Sequence, residues 1–389
     1  MNPHTNADAR RDRLRAKLAQ DGADAYLISG VANVTYLTGF KGEASHLVVS
    51  KNKDILVSDA RFTEQIKNEC PGLEALIRPP TKKTLDMVAE AIRSIKALSI
   101  GFECQVLTVS DFESLKELLP ECSWLATRER VETQRMVKEP IEIEALCEAI
   151  KMAQDAFTSL SKSLSPSQTE KNVADELERL MRSMGAQCAA FPIIVAAGSN
   201  AALPHAIPSQ HCIAALPHAI PSQHCIGNEN LLLIDWGASS PSGYKSDLTR
   251  VLDTHSFSKT KGQTETKDKL RKIYSIVLGA QKAAFNTIKP GVKALEVDHA
   301  ARQFIADAGF GDYFGHGLGH GIGLQIHEAP WFRPGSETIL EPGMVFTLEP
   351  GIYLPGWGGV RIEDNILVTS SGAQYLTGIS RELDDNIIV

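Results

Sequence analysis

Four carboxylates and three histidines in the carboxy-terminal half of this 389-residue chain have types and spacing that could do chemistry. Asp235 ends the aliphatic run "LLLI", and Asp247 follows twelve residues later across a turn. Glu349 follows "MVFTL", and Glu363 comes fourteen residues later, beyond a Gly-rich turn. Both separations are even, so the members of each pair share a strand face if pairing is regular. A carboxylate set in an apolar strand is costly to bury unless it is paired or binds a metal. One alone reads as a strand-end cap. Four placed equivalently in two hairpins point to a cation site.

The stretch "FGHGLGHGIGLQIHEAP" adds His316, His320 and His327. His316 and His320 have the i, i+4 spacing of a zinc-protease helix, but glycines at 315, 317, 319, 321 and 323 make a helix untenable. A phosphate-cradling loop is a poor reading too, because the P-loop Lys and its strand–loop–helix setting are missing. The glycines are expected to let the backbone pass close to a metal centre. His320 then reaches the ions while His316 and His327 line the cavity. Four carboxylates and one imidazole form a hard, oxygen-rich set that suits Mn²⁺ and tolerates Co²⁺, Fe²⁺ or Zn²⁺. Five side chains exceed the needs of one catalytic ion and suit two ions about 3.5–4 Å apart with bridging carboxylates.

The elements that must position these residues fall into two parts. Over the first ~130 residues, short apolar runs ("AYLIS", "HLVVS", "DILVSD", "ALSIGF") read as strands. They alternate with helical stretches such as "ARRDRLRAKLAQDG", stopped by Gly22, and "TLDMVAEAIRSI". That predicts an α/β domain over residues 1–133. Pro140 then suits the first turn of a long helix, and a second domain is predicted over 138–389. It has one order of elements twice, a helix pair followed by strands, which predicts two half-domains facing each other across one sheet system. The helices are expected over 139–164 and 168–184, the second with a Ser167–Glu170 capping box. A later pair is "KDKLRKIYSIVLGAQKAAFNTI" and "ALEVDHAARQFIADAG".

Composition limits the partners. A net charge of −7 with interspersed signs argues against nucleic acid or an anionic membrane surface. No apolar run reaches the ~18–20 residues of a membrane span, and the first residues have no secretory apolar core. Seven scattered cysteines without a CxxC pair predict a reducing, cytoplasmic compartment.

The motifs "LLLIDWGA…SDLTR", "GHGLGHGIGLQIHE", "FTLEPGIY" and "GVRIEDN" resemble those of the methionine-aminopeptidase/prolidase/creatinase superfamily, the pita-bread metallopeptidases, and within it the Xaa-Pro peptidases. The amino-terminal "NVTYLTGFKGEA" and "VSDARFTEQ" resemble the creatinase-type domain that such enzymes carry. The resemblance implies an α/β N-terminal domain and an α+β pita-bread catalytic domain with pseudo-twofold halves. It implies hydrolysis of the bond between an N-terminal residue and proline, as an Xaa-Pro aminopeptidase or dipeptidase, and a homodimer. Asp235 chelates one ion in that reading, Asp247 and Glu363 bridge, and His320 with Glu349 hold the other. Glu349 also moves the proton, His327 stabilises the oxyanion, His316 contacts the residue after the scissile bond, and Arg361 orients the site. Two other readings are a metal-free creatinase-like amidinohydrolase and a non-catalytic pita-bread binding protein; retention of all five ligands argues against both.

The family also places a substrate-binding histidine in a "PH" segment upstream of the first Asp ligand. Here "AALPHAIPSQHCI" is repeated in tandem over 201–226, offering both His205 and His218. Identical copies leave fourteen equivalent junctions between them, of which nine keep His205 in the site and five keep His218. His205 is therefore the expected substrate contact.

Overall fold

The computed structural model describes residues 6–203, 222–257 and 263–388. The chain divides into two units, Met1–Arg135 and Met136–Val389.

In the first unit, the four apolar runs read from sequence form the strands Ala25–Ile28, Ser45–Ser50, Asp54–Asp59 and Ser99–Glu103. They belong to one six-stranded mixed sheet, in which Ala25–Ile28 runs antiparallel to Ser45–Ser50 and parallel to Ser99–Glu103. Gly22 caps the amino-terminal helical segment at a left-handed φ of 69°, the conformation glycine adopts without penalty. The helix Thr84–Ser94 lays Val88 and Ile92 onto Leu27, Val48 and Ile100, all fully buried. The two sheet edges, Glu74–Arg78 and Ser123–Thr127, carry no clear signal: apart from Thr127 their residues are half-buried or exposed, so apolar patterning is weak.

In the second unit, the long helix Pro140–Ser161 starts with proline at its first turn. The next helix, Glu170–Ser183, is capped differently from the expectation. Thr169 accepts from the Asn172 amide at 3.1 Å, and the Asn172 side chain accepts from the Thr169 amide at 3.0 Å. Glu170 is thereby freed from capping and is buried instead. Its carboxylate accepts from the Ala197 amide (2.8 Å), the Asn200 side chain (2.9 Å), the Ser222 amide (3.0 Å) and the Ser222 hydroxyl. One carboxylate thus holds the turn that leads into the first copy of the repeat and the point where the second copy rejoins the fold.

The expected hairpin forms from Leu231–Trp236 and Leu248–Asp253, with Asp235 opposite Thr249; Ile194–Ala197 pairs on the other side of the first strand. Trp236 fixes the end of this hairpin. Its ring stacks on Phe157 at 4.4 Å and its indole N–H donates to the Ala153 carbonyl at 2.9 Å, docking the strand on the long helix. The helices Gln263–Thr287 and Ala294–Asp307 come next, followed by a five-stranded sheet containing Gly319–Gly321, Val345–Leu348 and Asp364–Val368.

The second hairpin divides between two sheets. Val345–Leu348 pairs with Asp364–Val368, whereas Gly351–Leu354 pairs with Gly358–Arg361 in a separate two-stranded ribbon. The register is continuous across the division: Leu348 lies opposite Asp364 and Gly351 opposite Arg361. Glu349 and Glu363 therefore face each other at the break. Each half of the unit supplies a helix pair and a hairpin bearing two carboxylates, the repeated order read from the sequence.

Candidate metal centre

The strand register brings the carboxylates together. Asp235 pairs with Thr249, two residues from Asp247, so Asp235 and Asp247 share a face. Glu349 and Glu363 meet through the second hairpin. A bridge between Thr249 and Glu363 joins the two hairpins, with the Glu363 amide donating to the Thr249 carbonyl at 3.1 Å. His320 enters on the short strand Gly319–Gly321, between Glu328–Phe332 and Val345–Leu348. Two of the glycines make room for neighbouring backbone. A β-carbon at 319 would lie 2.1 Å from the Thr347 carbonyl oxygen, and one at 321 would lie 2.1 Å from that of Ala329. They let the histidine strand press between its neighbours, and that packing delivers His320.

Asp235, Asp247, His316, His320, His327, Glu349, Arg361 and Glu363 all line one cavity of about 400 Å³. Three groups of potential ligands overlap: His320, Glu349 and Glu363; Asp235, Asp247 and Glu363; and Asp247, His320 and His327. Within each, one ligand atom per residue lies within 4.8 Å of the others. His320 Nε2 lies 3.5 Å from Glu349 Oε1 and 3.6 Å from Asp247 Oδ2. Its Nδ1 lies 3.1 Å from the Gly321 carbonyl, which can only accept. The proton therefore sits on Nδ1, and the Nε2 lone pair faces the carboxylates.

The residues fit a pair of divalent cations. Four carboxylates, three of them over nine-tenths buried, face a single guanidinium. Arg361 donates to Asp235 Oδ2 at 2.5 Å, to Thr249 Oγ1 at 3.0 Å and to the Tyr353 hydroxyl at 2.9 Å, leaving three negative charges unmatched. Oδ1 of Asp235 is buried without a hydrogen-bond partner. Burial first, and neighbouring carboxylates second, push Asp247 and Glu363 well above the ordinary carboxylate range. Burial raises Glu349 to about 8, and it raises Asp235 against the opposing pull of Arg361. Carboxylates crowded this way are stable as anions only with cations among them.

The other histidines lie where the cavity can use them. The exposed His327 ring stands edge-on to His320 at 4.3 Å. His316 approaches the Gly317 carbonyl through Nδ1 at 2.7 Å and the Tyr353 hydroxyl through Nε2 at 2.9 Å. The carbonyl fixes the proton on Nδ1, so Tyr353 donates to Nε2 while accepting from Arg361. Tyr353 and Thr249 were not singled out from sequence. Tyr353 could have been found by period two, since 349, 351 and 353 share a face and so do 359, 361 and 363. Burial pushes the Tyr353 hydroxyl up to about 12. His205 and His218 lie outside the described residues, which follow the first copy of the repeat through Leu203 and the second copy from Ser222.

Residues 144–370 match the metallopeptidase family M24, and residues 10–137 match the creatinase/prolidase N-terminal domain. The chain is 34% identical to an Xaa-Pro dipeptidase of Pyrococcus horikoshii, covering 94% of this chain and 95% of that protein. It is 33% identical to an Xaa-Pro dipeptidase of Lactobacillus delbrueckii subsp. lactis, over 96% and 97% of the two. Among solved structures, it superposes on an Xaa-Pro dipeptidase from Bacillus anthracis with a TM-score of 0.86 at 37% identity, covering 98% of this chain and all of that one. It superposes on an X-Pro aminopeptidase from Thermotoga maritima with a TM-score of 0.81 at 32% identity, covering 96% and 99%.

Proposed function

Given that the chain belongs to metallopeptidase family M24, we propose that it hydrolyses the peptide bond between an N-terminal residue and proline, with Xaa-Pro dipeptides as its preferred substrates. The observation that carries this reading is the overlap of the ligand groups: Glu363 links the His320–Glu349 side of the site to the Asp235–Asp247 side, and it would serve two cations held there. Asp235 and Asp247 complete one group; His320 and Glu349 complete the other. The hard donor set favours Mn²⁺, with Co²⁺, Zn²⁺ or Fe²⁺ as substitutes. Two such ions supply a Lewis acid for the substrate carbonyl and a water of lowered pKa.

The chain's own groups do the rest. Glu349 takes the proton of the attacking water and passes it to the proline nitrogen, which carries no hydrogen of its own and must gain one to leave. His327 donates to the oxygen that becomes negative. His316 contacts the proline residue, and Arg361 holds Asp235 in place. His205 is the substrate contact from the duplicated segment. A proline ring finds apolar walls in Phe191, Ile194, Trp331 and Phe332, all lining the cavity.

The six cysteines of the described residues are free thiols, in keeping with a reducing cytoplasmic compartment. No helix of the described residues is long and apolar enough to cross a membrane. A homodimer with small peptides as its partners, and no nucleic-acid ligand, completes the proposal. The test is purified protein with Mn²⁺ offered Xaa-Pro dipeptides, Xaa-Pro-Xaa tripeptides and dipeptides without proline. Cleavage confined to proline-containing peptides is expected, and indifference to proline overturns the assignment.

A further inference from the structure

Two fully buried side chains lie behind the carboxylates and line no part of the cavity. Gln281, on the helix Gln263–Thr287, aims its amide nitrogen at three acceptors: the Leu348 carbonyl (3.0 Å), the Ile362 carbonyl (3.2 Å) and Asp364 Oδ2 (2.8 Å). Leu348 and Ile362 immediately precede Glu349 and Glu363. Arg250 grips the same strand from the next position. It donates to the carbonyls of Thr249 (2.9 Å) and Glu363 (2.8 Å) and to Asp364 Oδ1 (2.7 Å).

The orientation of Gln281 is settled by its surroundings. Turning the amide over would set its oxygen against three acceptors. As it stands, two N–H groups serve three acceptors, and Oε1 is buried without a hydrogen-bond partner. A methionine or leucine fills similar space without burying an unmatched carbonyl. Packing alone does not account for glutamine here.

We propose that Gln281 is a positioning residue for the metal pair. By tying the backbone before Glu349 to the backbone before Glu363, it fixes the separation of these two carboxylates. It thereby sets the affinity of the ion held by His320, Glu349 and Glu363, without touching that ion. Asp235 and Asp247 come from the other hairpin and are not held by Gln281, so the second ion shares the effect only through Glu363. This proposal rests on the metal reading above.

The test is a calorimetric titration of the chelator-treated full chain with Mn²⁺, wild type against Gln281→Met, which keeps length and loses both donors. In the wild type two binding events are expected. In the variant one event weakens about 10- to 100-fold, the range typical of groups that orient ligands, and the other stays within about threefold. Electron paramagnetic resonance at two equivalents then shows loss of the spin-coupled pair in favour of mononuclear and free Mn²⁺. A purely structural role would lower the melting temperature of the metal-free protein and leave both constants unchanged; that result overturns the proposal. So does equal weakening of both events. A wild type that binds no divalent ion overturns the metal reading and this proposal together. Should the Met variant not fold, Gln281→Asn, which keeps the amide on a shorter arm, is titrated in its place: selective weakening of one event supports the proposal, and two unchanged constants overturn it.

Discussion

Thr249 and Glu363 are joined twice: the Thr249 hydroxyl donates to Glu363 Oε2 at 2.6 Å, and the Glu363 amide donates to the Thr249 carbonyl at 3.1 Å. The pair sits where the two hairpins meet, and the same hydroxyl accepts from Arg361 at 3.0 Å. A threonine with no direct part in the chemistry therefore aims a carboxylate shared between two ligand groups.

Thr249→Val keeps the shape and removes the hydroxyl. Metal affinity is expected to fall about 10- to 100-fold with the protein still folded, as for other groups that orient ligands. Thr249→Ser restores most of it. Competition with a chelator of known affinity measures both, and a valine variant with wild-type affinity refutes the assigned role.

The metal-free site should respond to pH in a specific direction. Folded, Glu349 titrates at about 8 because of burial, and Asp247 and Glu363 are also raised; unfolded, such groups titrate near ~4. In that interval the folded chain holds protons that the unfolded chain has released. The stability these groups contribute is complete below about pH 4 and is lost as pH rises through about 8. The melting temperature of chelator-treated protein should therefore fall between about pH 5 and 8, and saturating Mn²⁺ should abolish the trend. Ion binding at pH 7 should release protons, seen as a dependence of the calorimetric heat on buffer ionisation enthalpy.

His320 and His327 are close neighbours, yet their loss should be distinguishable. His320→Ala removes an Nε2 ligand and is expected to abolish the binding of one ion. His327→Ala should leave two ions bound and lower kcat about 10²- to 10³-fold, the usual cost of a lost oxyanion donor. Metal content by atomic absorption beside steady-state kinetics separates them, and loss of metal from the His327 variant contradicts the oxyanion role.

Removal of one copy of the repeat, residues 204–216, leaves five residues, Pro-His-Ala-Ile-Pro, between Leu203 and Ser222. Five residues and their flanking bonds span up to about 20 Å. The gap is short, because Asn200 and Ser222 both bind the Glu170 carboxylate. The shortened enzyme is expected to be at least as stable and as active as the full chain; insoluble or inactive protein counts against this account. In the full chain His205→Ala should impair turnover more than His218→Ala, and equal losses defeat a single substrate contact.

Much of this site was legible in the sequence because strand geometry is periodic. Even spacing put Asp235 with Asp247 and Glu349 with Glu363, and both pairs share a face in the structure. Period two also reached Tyr353, but an isolated tyrosine announces nothing until Arg361 and His316 are seen on either side of its hydroxyl. Thr249 and Gln281 were beyond reach, since their partners lie more than 60 residues away in the chain and no local pattern marks them. The capping box was misplaced by two residues because Ser167 and Glu170 satisfy the local pattern. What decided otherwise was tertiary: Glu170 has four donors converging on it from residues 197–222.

That convergence has an evolutionary side. A chain held at both ends by one side chain can change length between them without shifting any ladder register, at a loop-closure cost of only ~0.6 kcal/mol per doubling. The same in-frame copying error inside a strand would carry its apolar residues to the wrong face. Glu170 therefore marks a splice point where a change of length should be tolerated and where an affinity tag could be grafted.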